Sequence, residues 1–251
     1  MALWVAAGRL PKIYLEEEWD KLGDIAERIA QVRQNIAAAL ARRGGKPGKV
    51  TLVAVSKTVP AERINAAIRA GISVIGENRV QEAREKYPDV DPVKWHFIGH
   101  LQRNKVKDVL GPFDLIHSLD RISLAREIQR RAARLNIVVP CLIQVNVAGE
   151  KSKFGLAPDD LNAFLWQLVS FPNVRVCGLM TIAPYSTDAE RVRPVFRRLY
   201  ELSRGEGYPA GVSLRYLSMG MSGDYEVAVE EGANMVRIGS AIFGHRTKGN
   251  R

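Results

Sequence analysis

A lysine at the end of an apolar run is the first residue here that could carry covalent chemistry. Val53-Ala54-Val55 leads into Ser56-Lys57-Thr58. If the run is a strand, its end holds Lys57 at the rim of the core. Partial desolvation there favours a nucleophilic amine, the requirement for a Schiff base. A lysine in that position can equally reach solvent and do nothing. Two later segments favour the chemical reading. Ser218-Met219-Gly220-Met221-Ser222-Gly223 supplies two hydroxyls, flexible glycines and backbone N–H groups leading into a helix, and Gly239-Ser240 opens another short helical turn. Barrel proteins often bind phosphate on such a pair of loops, using helix N-termini. Read otherwise, they are ordinary Gly/Ser turns. A lysine amine and a phosphate cup in one site would suit a phosphorylated aldehyde or ketone.

The elements that must position these residues alternate regularly. Short β-rich runs occur at 50–55, 74–77, 95–99, 115–119, 141–147, 176–182, 215–219 and 235–239. Several are almost wholly apolar, as strands buried on both faces of a parallel sheet are. Helical periodicity falls between them at 61–70, 80–87, 102–109, 123–135, 159–169, 189–202 and 224–231. Pro194 must sit early in its helix or kink it. A longer amphipathic helix, 19–43, precedes the first strand, with Leu22, Ile25, Ile29, Val32, Ile36 and Leu40 along one face. The pattern predicts an α/β fold, a single-domain (β/α)8 TIM-like barrel with an additional N-terminal helix. An open doubly wound sheet is the rival. In a barrel, the polar residues at the strand C-termini are the candidates: Lys57, Asn78, His100, His117, Asn146, Met180-Thr181, Ser218 to Ser222, and Arg237 running into Gly239-Ser240. Residues 1–18 form an N-terminal extension and 19–251 the barrel domain.

Composition bounds the partners. The chain has 251 residues, 46% hydrophobic and 25% charged, ample for one large core and unlike a disordered chain. No apolar run of membrane-spanning length occurs, and the start lacks the basic and long apolar regions of a secretory signal. The net charge of +10 attracts anions but is scattered in short pairs such as Arg42-Arg43 and Arg197-Arg198. A solvated basic surface is therefore expected, with no specific nucleic acid and no membrane partner. Two cysteines, Cys141 and Cys177, without a CxxC spacing fit a reducing cytoplasm and read as buried thiols. The four histidines lack metal-binding spacing, so no metal is expected. Gly205-Glu206-Gly207-Tyr208-Pro209-Ala210 matches GxGxxA only formally, because it follows a helix and contains proline.

Five ordered motifs carry a resemblance: Val53 to Thr58, Gly76-Glu77-Asn78-Arg79-Val80-Gln81-Glu82, Trp95-His96-Phe97-Ile98-Gly99-His100-Leu101-Gln102-Arg103-Asn104-Lys105, Leu217 to Asp224, and Val236-Arg237-Ile238-Gly239-Ser240-Ala241-Ile242-Phe243-Gly244. Together they resemble the pyridoxal 5′-phosphate (PLP) homeostasis protein family, also called the proline synthase co-transcribed family, over about residues 19–245. The resemblance implies a barrel of the alanine-racemase N-terminal type and PLP as cofactor, held as an internal aldimine on Lys57. Ser222, Gly239 and Ser240 would contact phosphate, and Arg237 the pyridine nitrogen. Asn78, Met180, Ser218, Met219, Gly220 and Met221 would line the pocket. An arginine beside that nitrogen donates hydrogen bonds without giving up its proton, which leaves the ring a weak electron sink.

A racemase of this type also draws a tyrosine base from a β-rich domain, and residues 1–251 hold no segment that reads as one. Tyr185, Tyr216 and Tyr225 match no such base. The family implication is therefore a cytoplasmic carrier that buffers PLP, with no catalytic residue and little or no turnover. Its partners would be PLP and PLP-dependent apoenzymes, and its state a monomer or weak dimer. Lys151 or Lys153, after the fifth strand, could accept PLP as it leaves Lys57. The alternatives are a small PLP-dependent amino-acid racemase, a lysine-dependent aldolase without PLP, and a basic nucleic-acid-binding module.

Overall fold

The computed structural model describes residues 12–44 and 49–244, with side chains described from residue 24 onward. Eight parallel strands close into a barrel in sequential order: β1 (Thr51–Val55), β2 (Val74–Glu77), β3 (Lys94–Phe97), β4 (Leu115–Leu119), β5 (Val139–Gln144), β6 (Val174–Met180), β7 (Tyr216–Ser218) and β8 (Met235–Ile238). The seam closes where β1 pairs with β8, with Thr51 opposite Met235 and Ala54 opposite Ile238. The barrel expected from the alternation is thus borne out, and the open sheet is excluded.

Two-residue periodicity divides each strand between two cores. Val53, Val74, Leu115, Leu142, Met180 and Met235 meet inside the barrel. Leu52, Ala54, Ile75, Phe97, Ile116, Ile143, Val236 and Ile238 face outward and pack beneath the helices. Those helices are α2 (Ala61–Arg69), α3 (Val80–Lys86), α4 (Val106–Val109), α5 (Ile122–Leu135), α6 (Leu161–Leu168), α7 (Arg193–Ser203), α8 (Tyr225–Glu230) and α9 (Ser240–Phe243). Pro194 lies in the first turn of α7, where no intrahelical N–H is required.

The helix before the barrel, α1 (Lys12–Arg42), starts seven residues earlier than the periodicity predicted. Residues 1–11 of the expected extension lie outside the described residues. Ile25, Ile29, Val32, Ile36 and Ala39 form its buried stripe. This stripe lies against α2, α8 and α9. Asn35 donates to the Tyr225 hydroxyl at 2.9 Å, and Arg42 pairs with Glu226 and Glu230. Arg193 reaches Glu230 and Glu231 from the other side, so α8 is held from both flanks.

Several boundaries differ from the sequence reading for local reasons. β5 and β6 each begin two residues earlier. In β5, Val139 N–H bonds Asn173 O at 2.9 Å and Pro140 pairs opposite Arg175, which carries the ladder past the proline. The expected helix at 102–109 is a 3₁₀ turn, Arg103–Lys105, followed by the single turn of α4. Cys141 is buried, but Cys177 is only partly so, which corrects the expectation of two buried thiols.

Candidate functional site

The β1–β8 register carries the site. Ala54 pairs with Ile238, so the loop bearing Lys57 leaves the barrel beside Gly239, whose Cβ position would lie 3.4 Å from Val55 Cβ. Lys57 is half-buried, and among the described residues its amine has no hydrogen-bond or ion-pair partner. Its neighbours, by contrast, are tightly held. Ser56 N–H donates to Gly76 O at 3.1 Å and Ser56 Oγ to Glu77 Oε1 at 2.7 Å. Lys86 Nζ donates to Ser56 O at 2.7 Å, Glu77 Oε1 at 3.0 Å and Glu82 Oε1 at 2.6 Å. Thr58 N–H donates to Glu82, and Thr58 itself sits at φ 61°, a left-handed conformation that costs a non-glycine residue about 1 kcal/mol.

The carboxylates of this clamp respond to their surroundings. Burial raises the Glu77 pKa, against the opposing effect of Ser56 and Lys86. Burial also pushes Glu82 upward, but hydrogen bonds from Lys86 and Thr58 outweigh it and its pKa falls.

Arg237 projects from β8 into the barrel and is 4% exposed. Its Nη1 donates to Ser218 O at 2.8 Å and Ser218 Oγ at 2.7 Å, and Nη2 donates to Thr181 O at 2.9 Å. Nε–H and one Nη2–H have no partner among the described residues. Burial lowers its pKa to about 10, with Asp224 acting in the opposite sense, so it remains a cation at neutral pH. Beside it, Ser222 Oγ accepts from Gly239 N–H and Ala241 N–H, each at 3.3 Å, which joins the β7–α8 loop to the first turn of α9. Met221 N–H donates to Asp224 Oδ1 at 2.6 Å and tightens that loop. Gly220 sits at φ 93°, and a Cβ there would lie 2.6 Å from Ala228 Cβ.

The sequence candidates divide into those brought together and those not. Lys57, Ser218, Ser222, Arg237, Gly239 and Ser240 gather on the adjoining ends of β1, β7 and β8. Met180 follows on β6, opposite Ser218, inside the barrel. Asn78 stands one residue past β2, with its backbone against Gly99, where a Cβ would lie 2.2 Å from Asn78 O. Its Oδ1 is buried and has no hydrogen-bond partner. The Met219 side chain, by contrast, packs in the outer core beneath the helices. Only its backbone belongs to the mouth, because it has the opposite parity to Ser218. Met221 is 37% exposed at the rim.

Lys151 is exposed, and Lys153 donates to Ala183 O at 3.1 Å and pairs with Glu150. Tyr185 is exposed, Tyr216 packs against the inner barrel cluster, and the Tyr225 hydroxyl is engaged by α1 outside the barrel. A cavity of about 510 Å³ adjoins Asn78 but is lined by Arg79, Phe97, His100, Leu101 and Lys105 on the outer side of β3, away from Lys57.

Sequence reasoning gave no role to the residues that support the site, although it named His117 among the strand-end candidates. Glu77 and Glu82 of the clamp stood within a motif without a role, and Lys86 lay outside it. His96 and His117 face into the barrel, and His117 Nδ1 lies 3.0 Å from Ser218 Oγ. The available signal was parity: His96 lies between outward-facing Trp95 and Phe97, and His117 is two residues from inward-facing Leu115.

The arrangement suits PLP: an unpartnered amine, a turn of backbone N–H groups beside a serine, a buried guanidinium with spare donors and an orphaned Asn78 acceptor. Comparisons with known proteins agree. The family described as alanine racemase, N-terminal domain, matches residues 28–247. A pyridoxal phosphate homeostasis protein of Aquifex aeolicus is 50% identical over 223 residues, 88% of this chain and 97% of its own. One from Pseudomonas aeruginosa is 42% identical over 231 residues, 91% of this chain and 98% of its own. PipY of Synechococcus elongatus, solved with PLP bound, superposes with a TM-score of 0.74 at 37% identity, covering 88% of this chain and all of that one. With this fold, these motifs and these relatives, the chain belongs to the pyridoxal phosphate homeostasis protein family, built on the alanine racemase N-terminal domain.

Proposed function

We propose that this protein binds PLP at Lys57 and carries it in intracellular vitamin B6 homeostasis, with little or no turnover. The observation that carries the reading is the β1–β8 register, which sets an unpartnered lysine beside the Ser222–Gly239–Ser240 turn. PLP, when bound, supplies an aldehyde that bonds an amine and a ring that can withdraw electrons from it.

The residues do the rest. Lys57 offers the amine. Ser222 and the backbone N–H groups of Gly239 and Ser240 receive a phosphate. Arg237 keeps its proton at neutral pH and only donates, so a ring nitrogen facing it accepts a hydrogen bond without gaining charge. Met180 closes the floor, and Asn78 and the backbone of Ser218 to Met221 border the mouth. Among the described residues, no tyrosine hydroxyl bonds Lys57 or Arg237.

The chain carries no helix, among its described residues, long and apolar enough to cross a membrane. We place its action in the cytoplasm, as a monomer or weak dimer that delivers PLP to apoenzymes. The test is an absorbance spectrum of the purified protein before and after borohydride, with Lys57→Ala alongside. A visible band trapped by borohydride at Lys57 and lost in the variant is expected. A wild-type protein that stays colourless after PLP addition overturns the reading. Catalytic α-proton exchange on an amino acid would move it to the racemase.

A further inference from the structure

Small barrel interiors are filled mainly by branched apolar side chains in layers. Here the inner cluster is joined by a polar chain that crosses the barrel. It runs from Arg237 on β8 to Ser218 on β7, then to His117 on β4 and His96 on β3. The separations are 2.7 Å from Nη1 to Oγ, 3.0 Å from Oγ to His117 Nδ1, and 3.0 Å from His117 Nε2 to His96 Nδ1. Ser218 and His117 are fully buried, and His96 is 6% exposed. Among the described residues, no third His, Cys, Asp or Glu joins the pair to make a metal site.

The donors of this chain can be ordered from one fixed end. Arginine only donates, so Ser218 Oγ accepts from Nη1. The Ser218 hydroxyl proton then has one acceptor in reach, His117 Nδ1. His117 must therefore carry its proton on Nε2, and it donates to His96 Nδ1, which leaves the His96 proton on Nε2. The opposite order would bury the serine proton without an acceptor, and a buried unsatisfied group is costly. Both imidazoles are neutral in this arrangement, since burial lowers their pKa values, that of His96 to about 4. Every hydrogen bond points away from Arg237. The guanidinium is thus held by two carbonyls and a serine whose only rotor is set by His117.

We propose that His117, acting through Ser218, is a positioning residue that fixes the Arg237 guanidinium and so sets how tightly PLP is retained. The inference rests on the PLP reading above. His117 does not touch the mouth, and its influence passes through one hydroxyl. A variant that only loosens packing would weaken PLP by the same factor whether or not Arg237 is present. A positioning residue has nothing left to position once Arg237 is gone.

The test is a double-mutant cycle read as PLP dissociation rate, with folding checked by circular dichroism. His117→Phe is expected to speed release about tenfold in the wild-type background and less than twofold in Arg237→Gln, a coupling of the size seen between residues in one network. His117→Asn, whose amide oxygen can still accept from Ser218, is expected to restore most of the retention and serves if the phenylalanine does not fold. Nitrogen NMR of histidine-labelled, cofactor-free protein should find His117 neutral with its proton on Nε2. Equal factors in both backgrounds, or a proton on Nδ1, overturn the positioning role while leaving the carrier intact. No PLP uptake by wild type overturns the carrier, and the positioning role falls with it.

Discussion

Replacing Lys86 by methionine tests whether charge holds the loop that presents Lys57. Lys86 spends all three ammonium hydrogens on Ser56 O, Glu77 and Glu82. Glu77 is fully buried, and its Oε2 already lacks a partner. Methionine preserves the length and removes the charge, which leaves the Ser56 hydroxyl as the one donor to that carboxylate. Removing one member of a buried ion pair costs about 3–5 kcal/mol. The Lys86 side chain keeps 13% exposure, which places the expected loss near the lower end, about 3 kcal/mol. The pH dependence follows from sign. Burial already raises the Glu77 pKa and Lys86 restrains that rise. Without Lys86 the folded-state pKa climbs further above the unfolded value. The variant's deficit is then fully present above the new folded pKa and shrinks as pH falls through it and Glu77 takes a proton. Urea unfolding followed by circular dichroism at pH 8 and pH 5.5 measures both effects, with PLP loading assayed in parallel. Loading should fall, because Thr58 then has less to hold it in its left-handed conformation. A loss below about 1 kcal/mol with undiminished loading would refute the electrostatic clamp.

Other expectations follow from single contacts. The His96 pKa of about 4 against an ordinary 6.5 means the folded state binds the neutral ring, so stability worth about 3 kcal/mol is present above pH 6.5 and is lost as pH falls toward 4. His96→Gln should flatten that part of a urea stability profile, and an unchanged slope would point to other groups. Ser222→Ala removes the acceptor shared by Gly239 and Ala241 N–H and should weaken PLP about tenfold while leaving pyridoxal, which lacks phosphate, unaffected by titration calorimetry. Equal losses for both ligands would remove the phosphate assignment. Gly99→Ala drives a Cβ to 2.2 Å from Asn78 O and should cost at least about 2 kcal/mol in chemical unfolding, and a neutral result would contradict the backbone approach there.

The barrel was legible in the sequence because each strand is a short apolar run followed by a polar tip. The candidate site residues stood out at those tips for the same reason. Lys57, Ser222, Arg237, Gly239 and Ser240 needed only the knowledge that barrel chemistry gathers at strand C-termini. Met219 was placed at the mouth because a loop motif does not reveal strand parity. The two-residue period carries Ser218 inward and Met219 outward. The polar chain inside the barrel was hidden by distance, since Ser218 and His117 are 101 residues apart and His117 and His96 are 21 apart. Closure of the ring brings His117 of β4 across to Ser218 of β7, and the pairing of β3 with β4 sets His96 beside His117.

The contact of α1 with α8 and α9 has a consequence for how the protein is made. Asn35 and its partner Tyr225 are 190 residues apart. At a synthesis rate of about 5–20 residues per second, roughly 10–40 s separate their emergence from the ribosome. Throughout that interval α2 alone of the three helices that pack on the stripe of Ile25, Ile29, Val32 and Ile36 has been made. The nascent chain therefore presents a part-covered apolar stripe to chaperones until α8 and α9 arrive. The turn beside Ser222 takes shape last, when the helix made first finally meets the segment made at the end.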